Sequence, residues 1–301
     1  MRGRSVTDLG YSLASLLIRR LPPSATESLA RAISDCYVLT HPERARAVDR
    51  NLARIWRDSR RVGSPPRARE TYRAFARALR DFLAHEPGMK SPGIHLAPEA
   101  RVSLDAARRT GLGAVLVSGH FGPWERALQW LAGELGGVEA LAARHRLAAV
   151  DRFFVARRAR AGVRTLCSSR PVMSALQSLK AGGWIAALAD RPRHAQGGSP
   201  LLDSRMERSG DWERIVPIDP GPLLLARRAG AIVIPGVSTS MPDGALEIRL
   251  DSPFTLDPAR GGLELHQGVA RLQRFFDAHV RAHPTQWFAW STGRGLSASR
   301  S

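Results

Sequence analysis

The chain has 301 residues, 44% of them hydrophobic and 24% charged, so it can bury a full core and is too apolar for wholesale disorder. Lys plus Arg total 45 against 27 Asp plus Glu, a formal charge of +18 that excludes an acidic protein and favours anionic partners. Two lone cysteines, Cys36 and Cys167, exclude a disulfide framework, and no run of apolar residues is long enough to read as a spanning helix.

Almost all the positive charge is arginine, with only Lys90 and Lys180 as lysines. The planar arginine fork suits carboxylates and phosphates. A GC-rich genome, which loads its proteins with Arg and Ala, accounts for Arg over Lys, but not for the excess of bases over acids.

In chain order, residues 6–18 (VTDLGYSLASLLI) place Leu9, Leu13, Leu16 and Leu17 on one helical face, followed by Arg19, Arg20, Pro22 and Pro23. Such a helix is about 20 Å long, short of the roughly 30 Å hydrocarbon layer. Residues 1–20 therefore read as an in-plane, membrane-associating amphipathic helix, with packing on its own domain as the competing reading. No cleavable signal peptide is expected. Helices follow at 24–38, 42–58 and 68–84. The last carries an apolar stripe (Tyr72, Phe75, Leu79, Phe82, Leu83) and a basic one (Arg69, Arg73, Arg77, Arg80). A solvated face is the ordinary fate of such charges, but at this spacing they repel, and an anionic lipid surface or acidic partner would relieve the cost.

From Gly111 short apolar runs alternate with helical segments. Strands are expected at 113–119, 138–144, 163–167, 184–190, 231–237 and 245–250, and helices at 123–135, 148–161, 171–180, 221–229 and 262–282. The alternation predicts an α/β fold, a mixed central sheet flanked by helices on both faces. A helical N-terminal layer (21–110) and an α/β core (111–301) would form one catalytic domain, 21–301. Residues 191–220 form the one extended loop.

The sharpest local feature is Ser118-Gly-His-Phe-Gly-Pro-Trp-Glu125, where a strand runs out and a helix begins. Gly122 suits the helix cap and Pro123 the first helical position. Ligands of open α/β sheets gather at the carboxyl ends of strands, which puts His120 at a reactive edge. On a continuous helix His120 and Glu125 would splay some 140° apart. If the helix starts between them they can meet, and the carboxylate would fix the imidazole tautomer as the acid of a catalytic triad does. His120 would then be a general base toward a hydroxyl, with N–H groups of the turn holding an oxyanion or phosphate. A structural histidine is the competing reading. Ser118 as nucleophile is disfavoured because no G-x-S-x-G elbow is present. His41, His85, His95, His194, His266, His279 and His283 show no metal-ligand spacing, so no metal is expected.

HFGPWE resembles the H-x4-D/E motif of glycerolipid acyltransferases. It is most similar to the HFGNWE form of the bacterial lipid A secondary (lauroyl/myristoyl) acyltransferase family, which includes phosphatidylinositol mannoside acyltransferases. RAVDRNLARIW (46–56), ARHRLAAVDRF (143–153), Arg158 four before Gly162, AALADRP (186–192), GPLLLARRAGAIVIPGV (221–237) and HPTQWFAW (283–290) resemble further family segments in order. The resemblance implies O-acyl transfer from an acyl carrier protein or coenzyme A thioester to a hydroxyl of a membrane lipid. It implies no other cofactor, and places the protein at the cytoplasmic face of the inner membrane as a peripheral or monotopic enzyme. It makes His120 and Glu125 catalytic, and Gly122, Arg144, Arg158 and Asp190 substrate-binding. Pro123 and Arg191 depart from the family's Asn and Gln, and the Pro and Asn of its RP-x-N-P segment are missing. These departures leave the acceptor open between a lipid A-like and a phosphatidylinositol mannoside-like lipid. Two rivals are a non-catalytic basic protein binding nucleic acid or anionic membrane, and a hydrolase in which water replaces the lipid hydroxyl.

Overall fold

Proline punctuates the N-terminal layer. In the computed structural model, which describes residues 18, 20–84, 93–143, 145, 147–166, 171–191, 215–257 and 261–291, helix α1 (Pro23–Thr40) is followed at once by α2 (Pro42–Asp58). Pro42 pushes His41 out of helical geometry, to φ −129° and ψ 58°, which ends one helix and lets the next begin on proline. Helix α3 (Ala68–Ala84) completes the layer, and both α2 and α3 coincide with their predicted spans. Most of the expected 6–18 helix, Arg144, and residues 192–214 of the long loop lie outside the described residues.

The basic stripe of α3 does not wait for an external partner. Arg69 and Arg73 both donate to Asp35 of α1, their Nε atoms 2.7 and 2.8 Å from its Oδ1. Arg80 pairs with Glu27, and Arg77 lies 3.7 Å from the same carboxylate. The hydrogen bonds from Arg69 and Arg73 hold the Asp35 carboxyl far below its usual range. The acids of α1 offset part of the repulsion among these four arginines, a source of relief that the spacing along α3 alone does not reveal.

The core is a seven-stranded sheet in the order β1 (Ile94–Leu96), β7 (Leu246–Leu250), β6 (Ile232–Ser240), β2 (Ala114–Ser118), β5 (Trp184–Leu188), β3 (Val138–Leu141), β4 (Val163–Thr165). Neighbours run parallel except β6 and β7. Along β2, Val115 and Val117 join one core, with Leu176 and Leu179 of α7 (Pro171–Lys180), Leu223 of α8 (Gly221–Ala229) and Phe276 of α9 (Gly261–Ala282). Ala114 and Leu116 join the other, with Leu104 of α4 (Pro98–Arg109) and Leu131 of α5 (Trp124–Leu135). A strand buried on both faces reads as a continuous apolar run, as GAVLVSG does. The remaining helix, α6 (Ala148–Arg160), meets α3 through Val150, Phe154, Phe82 and Leu83. Among the described residues, no helix is long and apolar enough to cross a membrane.

Two elements had no sequence signal strong enough to predict them, β1 and α4. The first spans three residues, and the second buries Ala100 and Ala107 beside Leu104, a face whose alanines blur the periodicity.

Candidate active site

Strands β2 and β5 are parallel neighbours in a register that sets Ser118 opposite Leu188. The Ala189 N–H donates to Ser118 O at 2.8 Å, so both chains leave the sheet together. Two residues beyond each paired position stand His120 and Asp190, at the carboxyl edge where ligands of such sheets collect. The ring Nδ1 of His120 lies 2.8 Å from Asp190 Oδ1, and the His120 main-chain N–H donates to Oδ2 at 2.7 Å. The indole N–H of Trp287 donates to that same Oδ2 at 2.9 Å. Gly119 makes room for this contact, because a Cβ there would sit 2.9 Å from the Asp190 carboxylate.

Asp190 is 1% exposed. Burial pushes its carboxyl up, but the bonds from the His120 ring, the His120 N–H and Trp287 outweigh that and hold it below the usual carboxylate range. An ionised carboxylate thus faces Nδ1, which favours the tautomer with its proton on Nδ1 and a lone pair on Nε2. The His120 side chain is 19% exposed, and no hydrogen bond ties Nε2 to another described residue.

The carboxylate opposite His120 was expected to be Glu125. It is Asp190, 70 residues further on. Glu125 sits in the first turn of α5, buried, and takes both ends of the Arg158 guanidinium, with Nε 3.0 Å from its Oε2 and Nη2 on its Oε1. Burial alone would lower the Arg158 pKa, and Glu125 more than offsets it. Once α5 has begun, its first turn faces Glu125 toward α6, while β5 delivers Asp190 to the imidazole. Arg158, expected to bind substrate phosphate, spends its charge inside the protein. Asp190, expected to bind substrate, instead holds His120.

Gly122 also differs from its expected role. Helix α5 opens at Trp124, with Pro123 as its flanking residue, one position later than read from the sequence. Gly122 takes a left-handed φ of +49°, and its N–H donates to Gln286 O at 2.7 Å. The N–H groups of Phe121 and Trp124 donate to Gly119 O and Gly122 O. The N–H groups of residues 120, 121, 122 and 124 are therefore engaged within the protein rather than presented to a ligand. A Cβ on Gly122 would approach Ser238 O to 2.4 Å. Gly122→Ala should cost at least about 1–2 kcal/mol from φ alone, and more as the turn moves off Ser238. The measurements are a lowered Tm together with lost transfer; unchanged values of both would contradict this geometry.

An aromatic edge adjoins the imidazole. Trp124 meets His120 edge to face at 5.2 Å between centroids, and Phe75 of α3 packs against both Trp124 and Phe288. Phe75 is an exposed apolar residue. Gln286 and Trp287 were read in the sequence only as part of the HPTQWFAW segment. Their link to the turn spans the whole core and has no local signal. Among the described residues, no group of three or more His, Cys, Asp or Glu could hold a metal ion.

An imidazole held by a buried carboxylate at the carboxyl edge of an α/β sheet is an arrangement chemically able to take a proton from a nucleophile. The chain belongs to the bacterial lipid A biosynthesis acyltransferase family, whose family model matches residues 6–291. It is an acyltransferase of lipid biosynthesis, which implies an acyl donor and a lipid acceptor. No curated protein matches it. Among solved structures, the 1-acyl-sn-glycerophosphate (LPA) acyltransferase PlsC from Thermotoga maritima is similar to it at 13% identity, covering 85% of this chain and 98% of that one with a TM-score of 0.38.

Proposed function

We propose that the protein moves a fatty acyl group from an acyl carrier protein or coenzyme A thioester to a hydroxyl of a membrane lipid, with His120 as general base. The observation that carries this reading is the 2.8 Å contact between His120 Nδ1 and an ionised, buried Asp190, which leaves Nε2 as the basic nitrogen. The lipid hydroxyl gives its proton to Nε2 as its oxygen attacks the thioester carbonyl. The tetrahedral intermediate collapses, the C–S bond breaks, and the imidazolium returns the proton to the departing thiolate. An ester and a free thiol result, with no covalent enzyme intermediate. Asp190 stabilises the imidazolium throughout.

The acceptor is a phosphate- or sugar-bearing membrane lipid, lipid A-like or phosphatidylinositol mannoside-like. Arg144 is the residue we propose for its anionic group, on the family resemblance of the segment around it. The apolar edge of Trp124, Phe75 and Phe288 beside His120 supports an acyl substrate. The +18 charge supports peripheral attachment to an anionic leaflet, the cytoplasmic face of the inner membrane. Glu125 acts by fixing α5 against α6 rather than by touching the reacting atoms.

The test is a product analysis. Membrane lipids of the producing cell, incubated with the full chain and radiolabelled myristoyl thioesters of coenzyme A and of acyl carrier protein, should yield one acylated lipid. Free fatty acid as the sole product would replace transfer by hydrolysis. No turnover of thioester, with salt-dependent DNA binding instead, would favour the non-catalytic alternative.

A further inference from the structure

We propose that Trp287 is a positioning residue for acyl transfer, holding through its indole N–H the carboxylate that orients His120. This rests on the reading of His120 as base. The segment Gln286–Phe288 runs antiparallel to the catalytic turn. Gly122 N–H donates to Gln286 O at 2.7 Å, Phe288 N–H donates to His120 O at 2.9 Å, and Phe121 and Trp287 form the bridge between them. The strap is itself pinned at both ends. The Gln286 side chain accepts from Ser240 N–H at 2.7 Å and donates to Ser240 O at 2.9 Å, while Trp290 Nε1 donates back to Pro284 O at 3.1 Å. The HPTQWFAW motif thus closes a frame around the turn from the far end of the chain.

Within that frame the destination of the Trp287 N–H is informative. A buried indole needs only some acceptor, and any main-chain carbonyl would serve packing. This one is spent on Asp190 Oδ2, the oxygen that also receives the His120 main-chain N–H. Three donors surround an almost fully enclosed carboxylate, and together they offset the cost of keeping its charge there. Trp287 is 4% exposed, so it works through Asp190 and not by touching substrate.

Removing the N–H leaves Asp190 held less firmly, so the imidazole is less well aimed and kcat falls while substrate binding is untouched.

The experiment replaces Trp287 in the full chain by Phe, and by benzothienylalanine, an isostere with sulfur in place of the N–H that keeps the buried shape. Transfer from myristoyl-coenzyme A and myristoyl-acyl carrier protein to the producing cell's membrane lipids is measured beside His120→Ala, with the folded fraction of each variant. The isostere should lower kcat about tenfold with KM within about twofold and the folded fraction unchanged. Unchanged kcat in the isostere, with His120→Ala inactive, overturns the role of Trp287 alone. So does a loss that only tracks the folded fraction. Near-normal transfer by His120→Ala overturns the base reading and this proposal with it.

Discussion

Asp190→Asn should lower acyl transfer by about a thousandfold or more while the protein remains folded. The amide has one acceptor where the carboxylate had two. Two N–H donors, from the His120 main chain and Trp287, converge at the position of Oδ2. The amide oxygen is drawn there, and its NH2 group is left facing His120 Nδ1. A donor in that place requires a lone pair on Nδ1 and moves the ring proton to Nε2, where it blocks the base. Shape and two of three hydrogen bonds survive, so the thermal transition should remain cooperative. The pH dependence of stability changes as well. The folded-state pKa of Asp190 is depressed, so its contribution is full above the unfolded value of about 3.9 and is lost as pH falls through the folded value. The wild type should lose that increment in acid, and Asp190→Asn should lack it throughout. An Asp190→Asn protein with near-normal transfer would contradict this account.

Glu125→Ala should fail for a different reason. Removing one member of a buried, bidentate pair strands the Arg158 guanidinium, which typically costs about 3–5 kcal/mol. A protein of this size should lose on the order of 10 °C in Tm. Arg158→Met should do the same from the other side. The double variant Glu125→Leu/Arg158→Met removes both charges of the pair and should recover most of the loss, a coupling that a thermodynamic cycle measures directly. Transfer should return in step with the folded fraction, because the His120–Asp190 pair is intact. A fully stable Glu125→Ala protein that transfers no acyl group would instead make Glu125 part of the chemistry.

The contrast between these two carboxylates shows where the sequence was legible. Strand-to-helix alternation, proline-led helices and apolar runs are local signals, and they located β2, α5 and the turn between them. They placed His120 at the edge of the sheet. They could not reveal which strand lies beside β2, because neighbourhood in a parallel sheet is set by crossovers, not by nearby residues. Without the β2–β5 register, the nearest acid in the sequence was the natural partner, and it was the wrong one. Had that register been known, the matching ends of GAVLVSGH and WIAALAD would have pointed to Asp190. The same limit applies to α3, whose four arginines looked unanswered until α1 supplied Glu27 and Asp35. Gly122 was recognised as special, but its φ and its bond to Gln286 come from a strap more than 160 residues away.

The most direct test of the central pairing is the imidazole N–H proton itself. In an NMR spectrum of the full chain, His120 should give a low-field Nδ1–H resonance from its bond to an ionised carboxylate. That signal should vanish in Asp190→Ala and persist in Glu125→Gln. A resonance that survives loss of Asp190 and disappears with the Glu125 substitution would return the imidazole to the other carboxylate and contradict the account.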